Sequence, residues 1–324
     1  MAQVVANLPM EENGKRENGG SPAAVARKRE GPFASPMKLY RGVQLIQRNY
    51  DLMPDLEKFE AFPDDIIVAT FPKSGTTWMQ AIVTLILNKG DPSCLHNGLL
   101  EEKWPYLESG KKVQNGRHLD CALSMPRPRT LKTHLAWQAL PDSAHQAKSR
   151  IIYVARNPKD TIVSMYYFMK SHRVLDYRGD FEDFVRLFLR DEVVYCPYFG
   201  NVASYWTLRN HDNVHFTTYE KLHKDPVKEV QQVGEFLGRS LTKEQAEHIV
   251  HYTTFDEMKN NDCVNYSQTH KNGIIDFNIA PFFRSGKIGS WKNHFTVAQN
   301  EIVDEWIANS LASKELQGLH FDYV

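Results

Sequence analysis

Two kinds of apolar spacing alternate along this chain of 324 residues. Short continuous apolar runs come first: Ile66-Ile67-Val68-Ala69-Thr70 and Ile151-Ile152-Tyr153-Val154-Ala155. Bounded by charge, they read as parallel strands buried on both faces. Arg129-Thr130-Leu131-Lys132-Thr133-His134 and Val214-His215-Phe216-Thr217-Thr218-Tyr219 are further strand candidates. Helical spacing fills the intervals. One pattern covers residues 79–87. Another opens at Pro158 and continues through Ile162, Val163, Met165, Tyr166 and Met169. A third opens at Pro226 and closes at Gly238, and a fourth runs from about Ala298 through Ile307. Proline suits a first helical turn and glycine a helix end. Strands alternating with helices predict an α/β fold, a central parallel sheet flanked by helices on both faces. No internal repeat or mid-chain linker interrupts the pattern, so residues 37–324 are expected to form a single domain. Residues 1–36 are polar and turn-rich, and are expected to be a disordered N-terminal tail. The Arg27-Lys28-Arg29 cluster inside it reads as solvated charge.

Composition narrows the function classes. Lys+Arg and Asp+Glu both number 39, so the formal net charge is zero. A general nucleic-acid or anionic-membrane binder would carry a basic surplus. A local basic cleft remains compatible with this balance. The four cysteines, Cys94, Cys121, Cys196 and Cys263, are scattered without a paired CxxC. That spacing speaks against a zinc site or a disulfide framework, and for a reducing compartment. No signal-like segment or span-length apolar run is present, so a cytoplasmic location is expected.

Candidate chemistry gathers at the junctions between elements. Phe71-Pro72-Lys73-Ser74-Gly75-Thr76-Thr77-Trp78 joins the first apolar run to a helix. The first N–H groups of a helix lack partners, and its dipole favours an anion there. Lys73 adds a cation, and the hydroxyls of Ser74, Thr76 and Thr77 add donors. The loop is only P-loop-like, because its lysine precedes its one glycine. Without a ligand it would be an ordinary hydrophilic turn. His134 follows the strand that contains Lys132, two residues earlier and therefore on the same face. At the carboxyl edge of a parallel sheet it could take a proton, or serve only as a structural cap. Arg156 follows the next strand and could grip a phosphate with two donors, helped by Ser164 two helical turns on, or pair with a surface acid. Phe282-Phe283-Arg284-Ser285-Gly286-Lys287-Ile288-Gly289-Ser290-Trp291-Lys292 mixes glycine with basic residues. Such a loop can fold over an anion, or lie plainly on the surface.

Taken in order, these motifs resemble the cytosolic sulfotransferase family. The resemblance spans about Tyr40 to the C-terminus. It rests on Phe71–Trp78, Leu131-Lys132-Thr133-His134-Leu135, Tyr153–Asp160, and Arg284-Ser285-Gly286 with Gly289-Ser290-Trp291-Lys292. It implies transfer of a sulfuryl group from 3′-phosphoadenosine 5′-phosphosulfate to a hydroxyl or amine of a small hydrophobic acceptor, such as a phenol or steroid-like alcohol. On the family pattern Lys73 and the backbone of Ser74, Gly75, Thr76 and Thr77 cradle the 5′-phosphosulfate. Arg156, Ser164, Arg284, Ser285 and Gly286 belong to the 3′-phosphate side. Trp78 and Tyr219 flank the adenine, with Thr253 and Phe255 as further contacts. His134 is the implied general base, assisted by Lys132 and Lys73. No metal is implied, because cationic side chains stand where a kinase would use magnesium.

Three departures from the family pattern stand out. Phe71 replaces a tyrosine. Ala136 stands where proline is common, which would loosen the acceptor wall. Ser285 replaces a basic residue, which would weaken 3′-phosphate binding unless Lys287 compensates. Residues 292–301 fit the family's dimer segment, Lys-x-x-x-Thr-Val-x-x-x-Glu, and imply a homodimer. Trp104, Tyr106, Tyr166, Tyr167 and Phe168 are candidate acceptor-wall aromatics. A nucleotide-dependent phosphotransferase would need a glycine-flanked triphosphate loop, and none is visible. A non-catalytic nucleotide or lipophile binder, or a relative that sulfates and then eliminates, stays open. Retention of Lys73, Lys132, His134 and Ser164 together argues against the pure binder.

Overall fold

The β-branched and aliphatic run at residues 66–70 is the strand on which the sheet is built. The computed structural model describes residues 32–113 and 116–324, so most of the expected tail lies outside the described residues. A short antiparallel hairpin comes first, β1 (Met37–Tyr40) with β2 (Val43–Ile46). The main strands are β3 (Ile66–Thr70), β4 (Thr130–Thr133), β5 (Arg150–Ala155) and β6 (Val214–Thr218). They pair in parallel in the order β4-β3-β5-β6. Every residue of β3 is buried, as a central parallel strand requires.

The period-two alternation of each strand splits the core into two layers. Ile67, Ala69, Leu131, Ile151 and Tyr153 face one layer, where Ile162, Met165 and Met169 of helix α2 (Pro158–Ser171) pack with Val303 and Ile307. Ile66, Val68, Ile152 and Val154 face the other. There they meet Met79, Ile82 and Ile86 of α1 (Thr76–Leu87), Val230 and Val233 of α3 (Pro226–Phe236), and Ile249 of α4 (Lys243–Tyr252). The expected sheet with helices on both faces is what the chain forms. Helix α5 (Val297–Leu311) opens with a capping box, Thr296 accepting from the Gln299 N–H.

Helix α1 begins three residues earlier than its apolar pattern suggested, because Thr76, Thr77 and Trp78 already form its first turn. Tyr219 ends no strand. The Thr218 hydroxyl caps a helical turn of which Tyr219 is the first residue. Phe33 packs on Tyr177 with ring centroids 5.1 Å apart, and the Ala34 N–H donates to the Leu175 carbonyl, so ordered packing reaches back before residue 37.

At the amino edge of the sheet, away from the site, Asp65 and Arg129 form a buried ion pair at 2.5 Å. Arg129 also donates to the Glu60 carbonyl and lies 4.7 Å from the Phe59 ring centroid. Removing one member strands the other in a region without water. Arg129→Met is therefore expected to cost about 3–5 kcal/mol of stability, read as a lowered midpoint in denaturant unfolding. A midpoint shift near zero would show that the pair is not structural.

Candidate active site

Four strand ends deliver the site. Thr70 closes β3 and leads into the loop at residues 71–75; Thr133 of β4 precedes His134; Ala155 of β5 precedes Arg156; Thr218 of β6 precedes Tyr219. Because the strands are parallel and in register, their carboxyl ends open on one edge. Lys73, Lys132, His134, Arg156, Tyr219 and Arg284 line one cavity there. Gly75, Thr76, Thr77, Trp78, Ser164, Thr253, Phe255, Ser285 and Gly286 line it too. The residues singled out in the sequence therefore meet in one place. Ser74 lies in the loop itself, fully buried.

The loop is shaped from below. Phe71 is fully buried, with edge contacts to Tyr198 at 5.0 Å and Phe188 at 5.8 Å between centroids. A phenyl ring suits that apolar seat. Lys73 and Gly75 then turn through positive φ, 68° and 103°. Gly75 has a second reason to lack a side chain, since a Cβ would stand 2.9 Å from the Tyr219 ring. The Lys73 ammonium sits 3.9 Å from the Phe282 centroid and 4.8 Å from that of Phe168. Burial, aided by the charges of Arg156, Lys132 and Arg284, pulls its pKa down to about 7.

His134 is held in one tautomer. Its Nδ1 lies 2.8 Å from the Thr70 carbonyl, which only accepts, so Nδ1 carries the proton and Nε2 keeps a free lone pair. The Thr70 hydroxyl is also 3.2 Å from Nδ1, and in turn bonds the Thr76 hydroxyl at 2.6 Å. The His134 N–H donates to Glu108 Oε1 at 2.6 Å, and Asn201 Nδ2 donates to the His134 carbonyl at 2.9 Å. Tyr106 and Tyr195 flank the ring edge-on at 5.1 and 5.4 Å between centroids. Burial, then the Lys132 charge, holds the imidazole well below its usual pKa. Such a ring is neutral at physiological pH and can receive a proton at Nε2. Lys132 lies 4.4 Å from the Tyr106 ring centroid, and burial lowers it to about 8.

Arg156 spends its two terminal nitrogens on carbonyls, donating to Lys73 at 3.1 Å and Lys287 at 3.2 Å. Its guanidinium lies 4.3 Å from the Tyr219 ring centroid. The Tyr219 hydroxyl donates to the Gly286 carbonyl at 2.7 Å, which draws the loop at residues 282–292 over the cleft. A Cβ on Gly286 would lie 2.2 Å from Phe255, so glycine is required there. Four buried polar atoms remain without a partner in this half of the cavity: Ser74 Oγ, Trp78 Nε1, Arg156 Nε and Arg284 Nε. Buried donors are normally satisfied. Their grouping marks a place built for an anionic, multiply hydrogen-bonding ligand.

Sequence reasoning missed the residues that hold this machinery. Asp160 accepts from the Gly289 N–H (2.8 Å), the Ser290 hydroxyl (2.9 Å) and the Trp291 N–H (3.0 Å), and so moors the loop to α2. In the sequence it is only the last residue of the Tyr153–Asp160 motif, with no role of its own. Glu108 accepts from Thr133 Oγ1 at 2.9 Å as well as from His134, and burial raises it to about 7. An isolated acid in a loop gave no signal of that role. The departures also resolve. Ala136 is buried and does not line the cavity, so it leaves the acceptor wall unaltered. Ser285 does line it, whereas the Lys287 side chain is exposed and contributes only its carbonyl. Of the candidate wall aromatics, Trp104, Tyr106 and Phe168 reach the cavity. Tyr166 packs instead on Phe181 and Phe184, and Tyr167 stands 4.9 Å from the Arg284 guanidinium.

Comparison with known proteins gives this geometry its class. The sulfotransferase domain model matches residues 63–318. Bovine sulfotransferase 1A1 is 38% identical over 283 residues, covering 87% of this chain and 95% of the relative. Human sulfotransferase 1C2 is 37% identical over 269 residues, 83% and 90% of the two chains. The crystal structure of mouse sulfotransferase SULT7A1 complexed with PAP superposes with a TM-score of 0.68 at 28% identity, covering 86% of this chain and 95% of that one. The site and fold are those of a group-transferring enzyme. The chain belongs to the sulfotransferase family and is a transferase of that class. A retinol dehydratase, at 22% identity and a TM-score of 0.80 over 90% of this chain, shares the fold.

The tautomer assignment is open to measurement. Because burial, and then the Lys132 charge, hold the folded pKa of His134 well below the ordinary value, its ring is expected to stay neutral as the pH falls from about 8 through the unperturbed value of about 6.5. Ring-nitrogen NMR shifts should show the proton on Nδ1 throughout. A titration midpoint near the unperturbed value of about 6.5 would contradict the assignment.

Proposed function

We propose that the protein transfers a sulfuryl group from 3′-phosphoadenosine 5′-phosphosulfate to a hydroxyl of a small hydrophobic acceptor, with His134 as general base. The observation that carries this reading is the pairing of an Nε2 lone pair on His134 with the cationic, donor-rich half-cavity around Lys73 and Arg156. The residues fit the nucleotide by their donor chemistry. Ser74 Oγ, Arg156 Nε and Arg284 Nε supply unused donors for phosphate oxygens, and Trp78 and Tyr219 offer ring faces. Complexes of relatives with PAP support the same co-substrate.

In this scheme His134 receives the acceptor proton at Nε2, while the Thr70 carbonyl and Glu108 keep the ring aligned. A neutral ring is the form that can do this. Lys132 orients the acceptor oxygen and stabilises its growing charge. Lys73 meets the negative charge that builds on the leaving phosphate, a stabilisation greater in the transition state than before it. Arg156, Ser164 and Arg284 anchor the far phosphate. No step calls for a metal ion; no cluster of candidate metal ligands occurs among the described residues.

The acceptor half of the cavity is walled by Trp104, Tyr106 and Phe168, which supports an apolar acceptor body. We also place the protein in the cytoplasm as a homodimer. Its four cysteines are unpaired, and Val297, within the segment at residues 292–301, is 76% exposed. No helix among the described residues is long and apolar enough to cross a membrane.

Incubation with radiolabelled sulfuryl donor and a panel of phenols, steroids and amines tests the reading. Label transfer is expected, and nucleotide binding without transfer would favour a non-catalytic binder. His134→Ala should lose about 10²–10⁴-fold in turnover yet keep nucleotide affinity; undiminished turnover would remove His134 from the mechanism. Nucleotide binding should also move protons. Lys73 at about 7 is mostly neutral at the alkaline end of the range, and a phosphate beside it raises its pKa. Calorimetry at about pH 8, in buffers of different ionisation enthalpy, should therefore record proton uptake. Release of protons instead would reverse that sign. Arg156→Ala should weaken affinity, and an unchanged dissociation constant would refute its role.

A further inference from the structure

Arg48 is a charge in the cavity lining that the sulfuryl-transfer chemistry does not use. Arg48 lines the cavity from the helical turn at Gln47–Tyr50, directly after β2. Its Nε is buried and has no hydrogen-bond partner. No ion pair or side-chain hydrogen bond engages its guanidinium among the described residues. Nearby acids are committed elsewhere. Glu101 pairs with Lys111 at 3.1 Å, and Glu108 is bound to Thr133 and the His134 N–H. Arg48 as a whole is half-buried, and its Nε, shut off from water without a partner, carries a desolvation cost that an anionic ligand would offset.

The backbone that presents Arg48 is firmly held. A Cβ on Gly110 would fall 2.5 Å from the Arg48 carbonyl, so that glycine admits a close approach of two segments. Next to it the Gly110 N–H donates to Asn49 Oδ1, and Asn49 Nδ2 donates to the Tyr195 hydroxyl, both at 3.1 Å. Tyr195 in turn bonds Tyr106, and both rings flank His134. The backbone of Arg48 is thus tied to this network, and its guanidinium is within electrostatic reach of Tyr195 and Tyr106. Its positive field extends to His172, which burial and then Arg48 keep neutral, with a pKa of about 4. The cavity that Arg48 and His134 both line also has apolar members, Ile46, Leu175, Val194 and Ile275 among them.

We propose that Arg48 is a specificity residue that receives a carboxylate at the end of the acceptor remote from the reacting hydroxyl. The acceptor is then a hydroxy acid: a phenol or alcohol, an apolar body, and an anionic terminus. This inference rests on the sulfuryl-transfer reading and narrows its acceptor class. The guanidinium offers two or more donors in a plane that matches a carboxylate, which a neutral ester cannot use as well. The wall that accommodates a steroid or phenol body is unchanged by this addition.

The test uses 4-hydroxyphenyl alkanoic acids of graded chain length and their methyl esters. Label transfer gives kcat/KM for each. At the best length the acid is expected to exceed its ester by about 10-fold or more. Arg48→Gln should collapse that acid-to-ester ratio, and Arg48→Lys should restore part of it. An acid-to-ester ratio at or below one at every length overturns the proposal, as does a ratio insensitive to Arg48→Gln in a variant that melts like the parent. Binding of the same pairs by calorimetry, with adenosine 3′,5′-bisphosphate present, separates the two readings. If no acceptor is labelled yet acids bind better than esters through Arg48, the transfer reading fails and the carboxylate site stands. Equal binding of acid and ester removes the site whether or not label is transferred.

Discussion

Concentrating like charge in a poorly hydrated cleft is the constraint on which the rest of this structure depends. Lys73, Lys132, Arg156 and Arg284 converge on one cavity, and each lowers the basicity of a neighbour or has its own lowered. A fold can bear this only if the cations are held where water, π-faces and carbonyls offset part of the cost. That is what the surroundings supply. Aromatic rings stand near Lys73, Lys132 and Arg156, and backbone carbonyls take the terminal nitrogens of Arg156. The carboxylates of Glu108 and Asp160, next to the site, are occupied by hydrogen bonds to structural donors, and Glu101 of the lining pairs with Lys111. They shape the cleft and leave its positive character available to an anion.

The parallel sheet turns this electrostatic requirement into geometry. Each of four adjacent strands ends one residue before a member of the site or its loop, and strand register sets their spacing. The same alternation that sorts the core into two layers directs Lys132 and His134 to one side. Position along the strand and position in the cavity are therefore a single variable. A one-residue slip of β4 against β3 would carry His134 away from the Thr70 carbonyl and reverse the direction of its neighbours.

Much of this is legible in the amino-acid sequence. The continuous apolar runs announced buried strands, and the motifs lay where strand ends had to be. The fold class, the loop at residues 71–78 and the meeting of His134 with Lys73 followed from local pattern and order. Asp160, Glu108, Asn201 and Arg48 were not visible, for one physical reason. Asp160, Glu108 and Asn201 bond backbone N–H or carbonyl groups far away in sequence, and Arg48 stands unpartnered, so none leaves a periodicity. Asp160 reaches residues 129 to 131 positions away, and Asn201 reaches the His134 carbonyl 67 positions away. The aromatic residues 166–168 show the same limit. Spacing alone cannot tell the ring that faces a cavity from one that faces the core, and only Phe168 of the three faces the cavity.

The fully buried ring of Phe71 has a thermodynamic consequence for whatever the loop grips. Wedged between Tyr198 and Phe188, it anchors the chain immediately before Lys73 and Gly75 take up left-handed backbone conformations. Conformational freedom at these positions is surrendered when the core assembles, and not when a ligand arrives. The cradle is thus preorganised, and a larger share of each contact with the guest survives as net affinity.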